Sequence, residues 1–158
     1  MESNKPTSGQ RAIKIVVSNR KARFEYEILQ KYECGIVLQG TEVKSLRAGK
    51  CNLQDSYASF ENGEIFIHNL HIKEYDFGNR ENHKPNRDRK LLLHLRELAK
   101  LKSQVEEKGL TIVPLSIYFS GHLVKVEIAV VRAKKKFDKR EDVKKRDVER
   151  EIRRDFMR

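Results

Sequence analysis

The chain has 158 residues, enough for one domain and a small appendage. Its 34 Lys and Arg outnumber 23 Asp and Glu, for a formal net charge of +11. That balance points to a polyanionic partner. No apolar run approaches the roughly 20 residues of a membrane span, and the basic stretches lack an interfacial helix's apolar face, so nucleic acid is the expected polyanion.

Residues 1–12 are polar, with Pro6 and Gly9, and lack the apolar centre of a signal peptide. They read as a flexible N-terminus on a cytoplasmic protein. Ile13–Val17 is a short β-branched run, and Phe24, Tyr26 and Ile28 alternate with charged residues, the period of a half-buried strand. Ile36–Leu38 continues the β signal after Gly35. Thr41–Arg47 reads as a short helix with Thr41 as N-cap and Gly49 as its stop. Ser56–Phe60 and Ile65–His71 flank an Asn62-Gly63 turn, a strong hairpin signal. A longer helix is expected from about Arg89 to Lys108, capped by Asp88 and ended by Gly109, with Leu91, Leu95, Leu98 and Val105 at helical spacing. Leu110–Phe119 and Leu123–Val131 form a second hairpin.

Residues 13–132 therefore read as a mostly β domain: an antiparallel barrel of about six strands with two or three packed helices, of the oligonucleotide-binding (OB) type. From Ala133 onward almost every residue is charged. Residues 133–158 cannot offset their ordering entropy alone and are expected to be a disordered basic tail that folds on its partner. Within it Glu141–Lys145, Asp142–Arg146 and Glu149–Arg153 are favourable i, i+4 pairs, and Val148, Ile152 and Phe156 form a thin apolar seam.

Catalytic chemistry leaves no trace. Cys34 and Cys51 are too few for a disulfide framework and lack zinc spacing. They read as small, partly buried thiols. The five histidines lack ligand spacing, and no phosphate loop or serine elbow is present. No enzyme activity, metal or cofactor is expected. Instead, cations cluster at element ends: Arg20, Lys21 and Arg23 after Asn19; Lys44, Arg47 and Lys50; and Arg87, Arg89 and Lys90. The three clusters read as one phosphate-binding surface.

NRKARFEYEI, YECGIVLQGTEVKSLRAGK, DSYA, HKPNRDRKLLLH and KKKFDKR stand in an order and spacing that resembles the SmpB (small protein B) family, protein partners of transfer-messenger RNA. The resemblance covers residue 13 to the end. It implies an OB-type barrel that binds the tRNA-like domain of this RNA (tmRNA, or SsrA RNA) and carries it to stalled ribosomes for trans-translation. The protein itself is expected to be monomeric. By the same resemblance Asn19, Arg20, Lys21, Glu33, Glu42, Lys44, Arg47, Lys90, Leu92 and Lys125 would contact the RNA. Leu92 can equally be read as core, since it borders the expected helix's apolar stripe. Lys134, Lys135, Lys136, Phe137, Asp138, Lys139 and Arg140 would meet small-subunit ribosomal RNA, the tail lying in the empty mRNA channel near the decoding centre. Phe137 departs from the family, in which His often precedes the DKR motif; its ring retains stacking and loses a hydrogen bond. The other readings are a structural or generic single-stranded RNA-binding OB protein, which would show stacking aromatics on its exposed strand faces, and a nuclease or RNA-modifying enzyme, for which no constellation is visible.

Overall fold

The structure is a computed structural model that describes residues 12–106, 110–134 and 136–156. Gly109, most of the expected flexible N-terminus and Lys135 lie outside the described residues. In chain order the elements are β1 Ile13–Ser18, α1 Arg20–Glu25, β2 Tyr26–Ile36, α2 Gly40–Arg47, β3 Cys51–Asn52, β4 Tyr57–Glu61, β5 Glu64–His68, β6 His71–Ile72, a 3-10 turn Asn79–Glu81, β7 Arg89–Leu92, α3 Leu95–Val105, β8 Leu110–Ser120, β9 Leu123–Ala133 and α4 Lys136–Phe156.

Seven strands form one antiparallel sheet in the order β1-β8-β4-β5-β7-β2-β9, and β8 also pairs with β9. That last pairing closes β8, β4, β5, β7, β2 and β9 into a six-membered barrel, with β1 outside it on β8; closure removes open edges from the six. β3 and β6 form a separate ribbon. Both expected hairpins are present. Asn62 and Gly63 have φ of 52° and 79°, as a two-residue turn between right-twisted strands needs.

The barrel interior is filled by Cys34, Leu46, Ile65, Ile67, Leu91, Ile112, Ile117, Val126, Ile128 and Val130 among others. β8 is buried on both faces, which is why it reads as a continuous apolar run. Its outward residues Val113 and Leu115 meet Ala129, Val131 and α1's Ala22 in a second, smaller core. Burial pushes the Cys34 thiol up to about 12 and Cys51 to about 11, so both are poor nucleophiles.

Three sequence expectations are corrected. The alternation of Phe24, Tyr26 and Ile28 reads as one strand, but Arg20–Glu25 is helical and the strand starts at Tyr26. Asn19 decides this: its Oδ1 accepts from the Ala22 N–H at 3.1 Å and caps α1. The cap of α2 is Gln39, not Thr41; Gln39 and Glu42 form a reciprocal capping box. The long helix begins at Leu95, and Arg89–Leu92 before it is β7, a barrel strand. Leu91 is core because strand alternation turns it inward, not because it lies on a helical stripe. Leu101 is the fully buried residue that α3 contributes to the barrel core, with Leu98 and Val105 packed against it. Tyr32 Oη donates to Gln104 Oε1 at 2.7 Å, and Gln104 Nε2 donates to Gln30 Oε1 at 2.8 Å, tying α3 to β2.

Candidate nucleic-acid interface

The barrel brings Glu33, Leu92 and Lys125 together from three strands. In register, Gly35 of β2 stands opposite both Leu92 of β7 and Lys125 of β9. Glu33, Leu92 and Lys125, with Leu93, His94 and Glu97, line a groove of about 500 Å³. Gly35 is needed for this approach: a Cβ there would stand 3.3 Å from the Leu92 Cβ. Leu92 is 49% exposed whereas Leu91 is fully buried, so Leu92 is a surface apolar contact and not core.

Glu33 is exposed but oriented. The Tyr118 hydroxyl, on β8, donates a short hydrogen bond to Glu33 Oε2. Burial, the hydrogen bond and the Glu33 charge together hold the Tyr118 hydroxyl well above its ordinary pKa, so it stays a donor. The carboxylate's remaining lone pairs accept only, which suits amino or imino groups of bases. Lys125, at the same groove, suits a phosphate. Lys90 faces outward on β7 and pairs with Glu64 at 2.9 Å, an exposed ion pair of small energetic weight.

The α1 group divides. Arg20 and Lys21 are exposed, and Lys21 lies 3.5 Å from Asp55. Asn19 is buried: besides capping α1, its Nδ2 donates to the Pro114 carbonyl at 3.1 Å and its backbone N–H to the Leu115 carbonyl at 2.7 Å. Those carbonyls sit where the β8–β9 register shifts between Pro114 and Ser116. Asn19 therefore clasps a bulge, and in this state its amide is not available to read RNA.

The α2 group divides in the same way. Lys44 and Arg47 are exposed, and Arg47 lines a second groove with Lys14, Ile15, Phe119 and His122. Glu42 has no exposed surface. Its Oε1 accepts from the Gln39 N–H at 2.8 Å and from Arg87, and its Oε2 accepts a short bond from Arg89 Nε. Burial raises the Glu42 pKa, but the Gln39 N–H and the Arg87 and Arg89 guanidinium groups outweigh it and leave the carboxyl below its ordinary value. Arg89 is itself fully buried and donates to the Leu70 and Pro85 carbonyls at 2.7 and 3.1 Å. The Arg87–Lys90 cluster thus divides too: Lys90 faces out, while Arg87 and Arg89 bolt α2 to β7. Sequence shows cations and carboxylates near one another but not their burial, and Glu42, expected from the resemblance to contact the RNA, lies buried in this ion pair.

Lys134 continues from β9 beside α1, its N–H donating to the Glu25 carbonyl at 3.0 Å. Lys136, Phe137, Asp138, Lys139 and Arg140 form the first turns of α4.

Ser59 Oγ lies 2.7 Å from His68 Nε2, and His68 Nδ1 lies 2.9 Å from Asp88 Oδ1. No local motif announces this relay, which joins β4, β5 and the approach to β7. Its order is that of a nucleophile, base and orienting carboxylate, but the Asp88 side chain is mostly solvent-exposed, unlike the buried carboxylate of a hydrolytic triad. Its role here is to pin strands. Among the described residues no three His, Cys, Asp or Glu gather as a metal site, and no helix is long and apolar enough to cross a membrane.

The family model described as SmpB protein matches residues 16–158. An SsrA-binding protein from Geotalea uraniireducens (strain Rf4) is 58% identical over 139 residues, 88% of this chain and 92% of that protein. One from Halothermothrix orenii is 51% identical over 148 residues, 94% of this chain and 96% of that protein. A solved chain from work on tmRNA–SmpB at the center of the bacterial ribosome superposes with a TM-score of 0.65 and 53% identity, over 76% of this chain and 85% of that one.

Proposed function

The chain belongs to the SmpB family, and from that premise we propose that it binds the tRNA-like domain of tmRNA and brings it to stalled ribosomes for trans-translation. It acts in the cytoplasm as a binding protein with no chemical step of its own. The observation that carries the RNA-binding reading is the groove in which Glu33, Leu92 and Lys125, far apart in sequence, meet around Gly35. An acceptor, an apolar contact and a cation side by side fit a base edge, a sugar or base face, and a phosphate. Arg20, Lys21, Lys44, Arg47 and Lys90 supply phosphate contacts around it. Asn19 and Glu42 act indirectly, by setting α1 and α2.

We place the domain boundary after Lys134 and not after Arg132, since β9 runs to Ala133 and the Lys134 N–H is bonded to the Glu25 carbonyl. The basic run Lys134, Lys135, Lys136, Lys139 and Arg140, with Phe137 and Asp138, meets small-subunit ribosomal RNA in the empty mRNA channel. The test is a chain ending at Lys134 beside the full chain. Both should bind tmRNA equally and in preference to an ordinary tRNA across a salt series, while the shortened chain should support no tagging on stalled ribosomes. Equal binding of the two RNAs, or loss of affinity with the tail, would make the protein a generic polycation-assisted binder.

A further inference from the structure

The segment between β6 and β7 carries an aromatic residue that the fold displays instead of burying. Phe77 is 79% exposed. Single exposed apolar side chains are ordinary on protein surfaces, so exposure alone says nothing. What distinguishes Phe77 is how firmly its loop is built. Asn82 brackets Tyr75 from both sides: the Tyr75 N–H donates to Asn82 Oδ1 at 3.0 Å, and Asn82 Nδ2 donates to the Tyr75 carbonyl at 2.7 Å. Gly78 makes room for that bracket, since a Cβ there would stand 2.7 Å from Asn82 Nδ2. The Gly78 N–H closes the turn on the Tyr75 carbonyl at 2.9 Å. Lys50 holds Asp76 at 2.9 Å, and Ser45 Oγ donates to the Lys73 carbonyl at 2.7 Å, fixing the loop to α2 and its exit.

On this base Phe77 meets Tyr75 edge to face, with ring centroids 5.6 Å apart and planes at 68°. The other side of Tyr75's environment is Lys44, whose Nζ lies 5.2 Å from the ring centroid. Lys44 already belongs to the candidate interface, so the loop is continuous with it. Arg80 lies beside Phe77 and Gly78 and, with Glu81, lines the same surface hollow. A pre-ordered ring with cations around it is the arrangement that binds an unpaired base while neighbouring phosphates are neutralised.

We propose that Phe77 is a stacking platform for an unpaired nucleobase of the bound RNA, with Lys44 and Arg80 taking its flanking phosphates. This rests on the RNA-binding reading above and adds a contact outside the Glu33–Leu92–Lys125 groove.

The chain contains no Trp, so Phe77→Trp installs a single fluorescent reporter at the site. The full-length variant is titrated with the tRNA-like domain of tmRNA and with an ordinary tRNA. Stacking predicts strong quenching of the introduced indole's emission at saturation. Phe77→Leu should weaken binding by about tenfold or more, the scale of one lost base stack, while Phe77→Trp retains wild-type affinity. Phe77→Leu should melt with the wild-type chain, because the ring is buried against little. Unquenched emission, or wild-type affinity in Phe77→Leu, overturns the platform, including the case in which only delivery to the ribosome falls and a protein contact is implied. Failure of the wild-type chain to prefer tmRNA would instead overturn the functional reading, and the quenching result with either RNA would still decide the platform.

Discussion

The barrel and α4 are both rich in charge, yet they come by their structure differently. In the barrel strands alternate residues turn inward, and charges that do go inside are paired on every side, as Glu42 is by Arg87, Arg89 and the Gln39 N–H. In α4 the side chains from Lys144 to Arg154 are all exposed, Val148 and Ile152 among them. A contact of α4 with the barrel places the Arg146 guanidinium 5.3 Å from the Phe24 ring centre, on α1. A helix of this kind draws on i, i+4 pairs of a few tenths of a kcal/mol each, and in isolation it is marginal. The barrel specifies itself, whereas α4 needs something to lie on. The difference fits a division of labour in which the barrel recognises one RNA and the helix takes its place on another surface.

Removing α4, as in the chain ending at Lys134, is the sharpest test of that contrast, with tagging lost and RNA binding kept. Next in size is the buried ion pair. Glu42→Ala leaves Arg89 buried and uncompensated and should destabilise the fold by about 3–5 kcal/mol in denaturant titration. The same residue gives a pH signature. Its folded pKa lies below the unfolded value of about 4.3, so the unfolded chain binds the proton more readily. The stability it contributes is present above that pH and is lost as pH falls through the folded pKa. Glu42→Gln should flatten this acid limb.

A middle-sized effect belongs to the groove. Lys125→Ala should weaken tmRNA binding and lower the salt slope by about one, and Leu92→Asp should cost about 1–3 kcal/mol of affinity. Since Leu92 is half exposed, the Leu92→Asp chain should unfold within about 0.5 kcal/mol of wild type. A large loss of stability would mean that Leu92 holds the barrel together. The smallest effect lies in α4: Glu149→Gln removes the i, i+4 ion pair with Arg153 and should lower the helix stability of a 134–158 peptide by only about 0.2–0.5 kcal/mol, read by circular dichroism.

How much of this was legible follows from the range of each interaction. The two hairpins were readable because Asn62-Gly63 and the Ser120–His122 turn act between neighbours in sequence, where turn chemistry and period-two alternation suffice. The pattern misleads where a distant partner decides. Arg23–Glu25 has strand alternation, but Asn19, anchored on the Pro114 and Leu115 carbonyls, turns it into a helix. Leu91 and Leu95 have helical spacing, but pairing with β2 and β5 makes Arg89–Leu92 a strand.

The site divides along the same line. Family motifs named the residues Glu33, Leu92 and Lys125, and charge alone pointed to RNA. Those are properties of composition and order, which the sequence determines by itself. Which residues of a motif face outward and which brace the fold was left to the tertiary structure. Asn19 and Glu42 stand in the same motifs as Arg20 and Lys44, yet they are buried because bulge carbonyls and two guanidinium groups from elsewhere in the chain satisfy them. Burial is a property of what folds against a residue, and for Phe77 and Leu92 it is equally the lack of a covering partner among the described residues that leaves them to meet one.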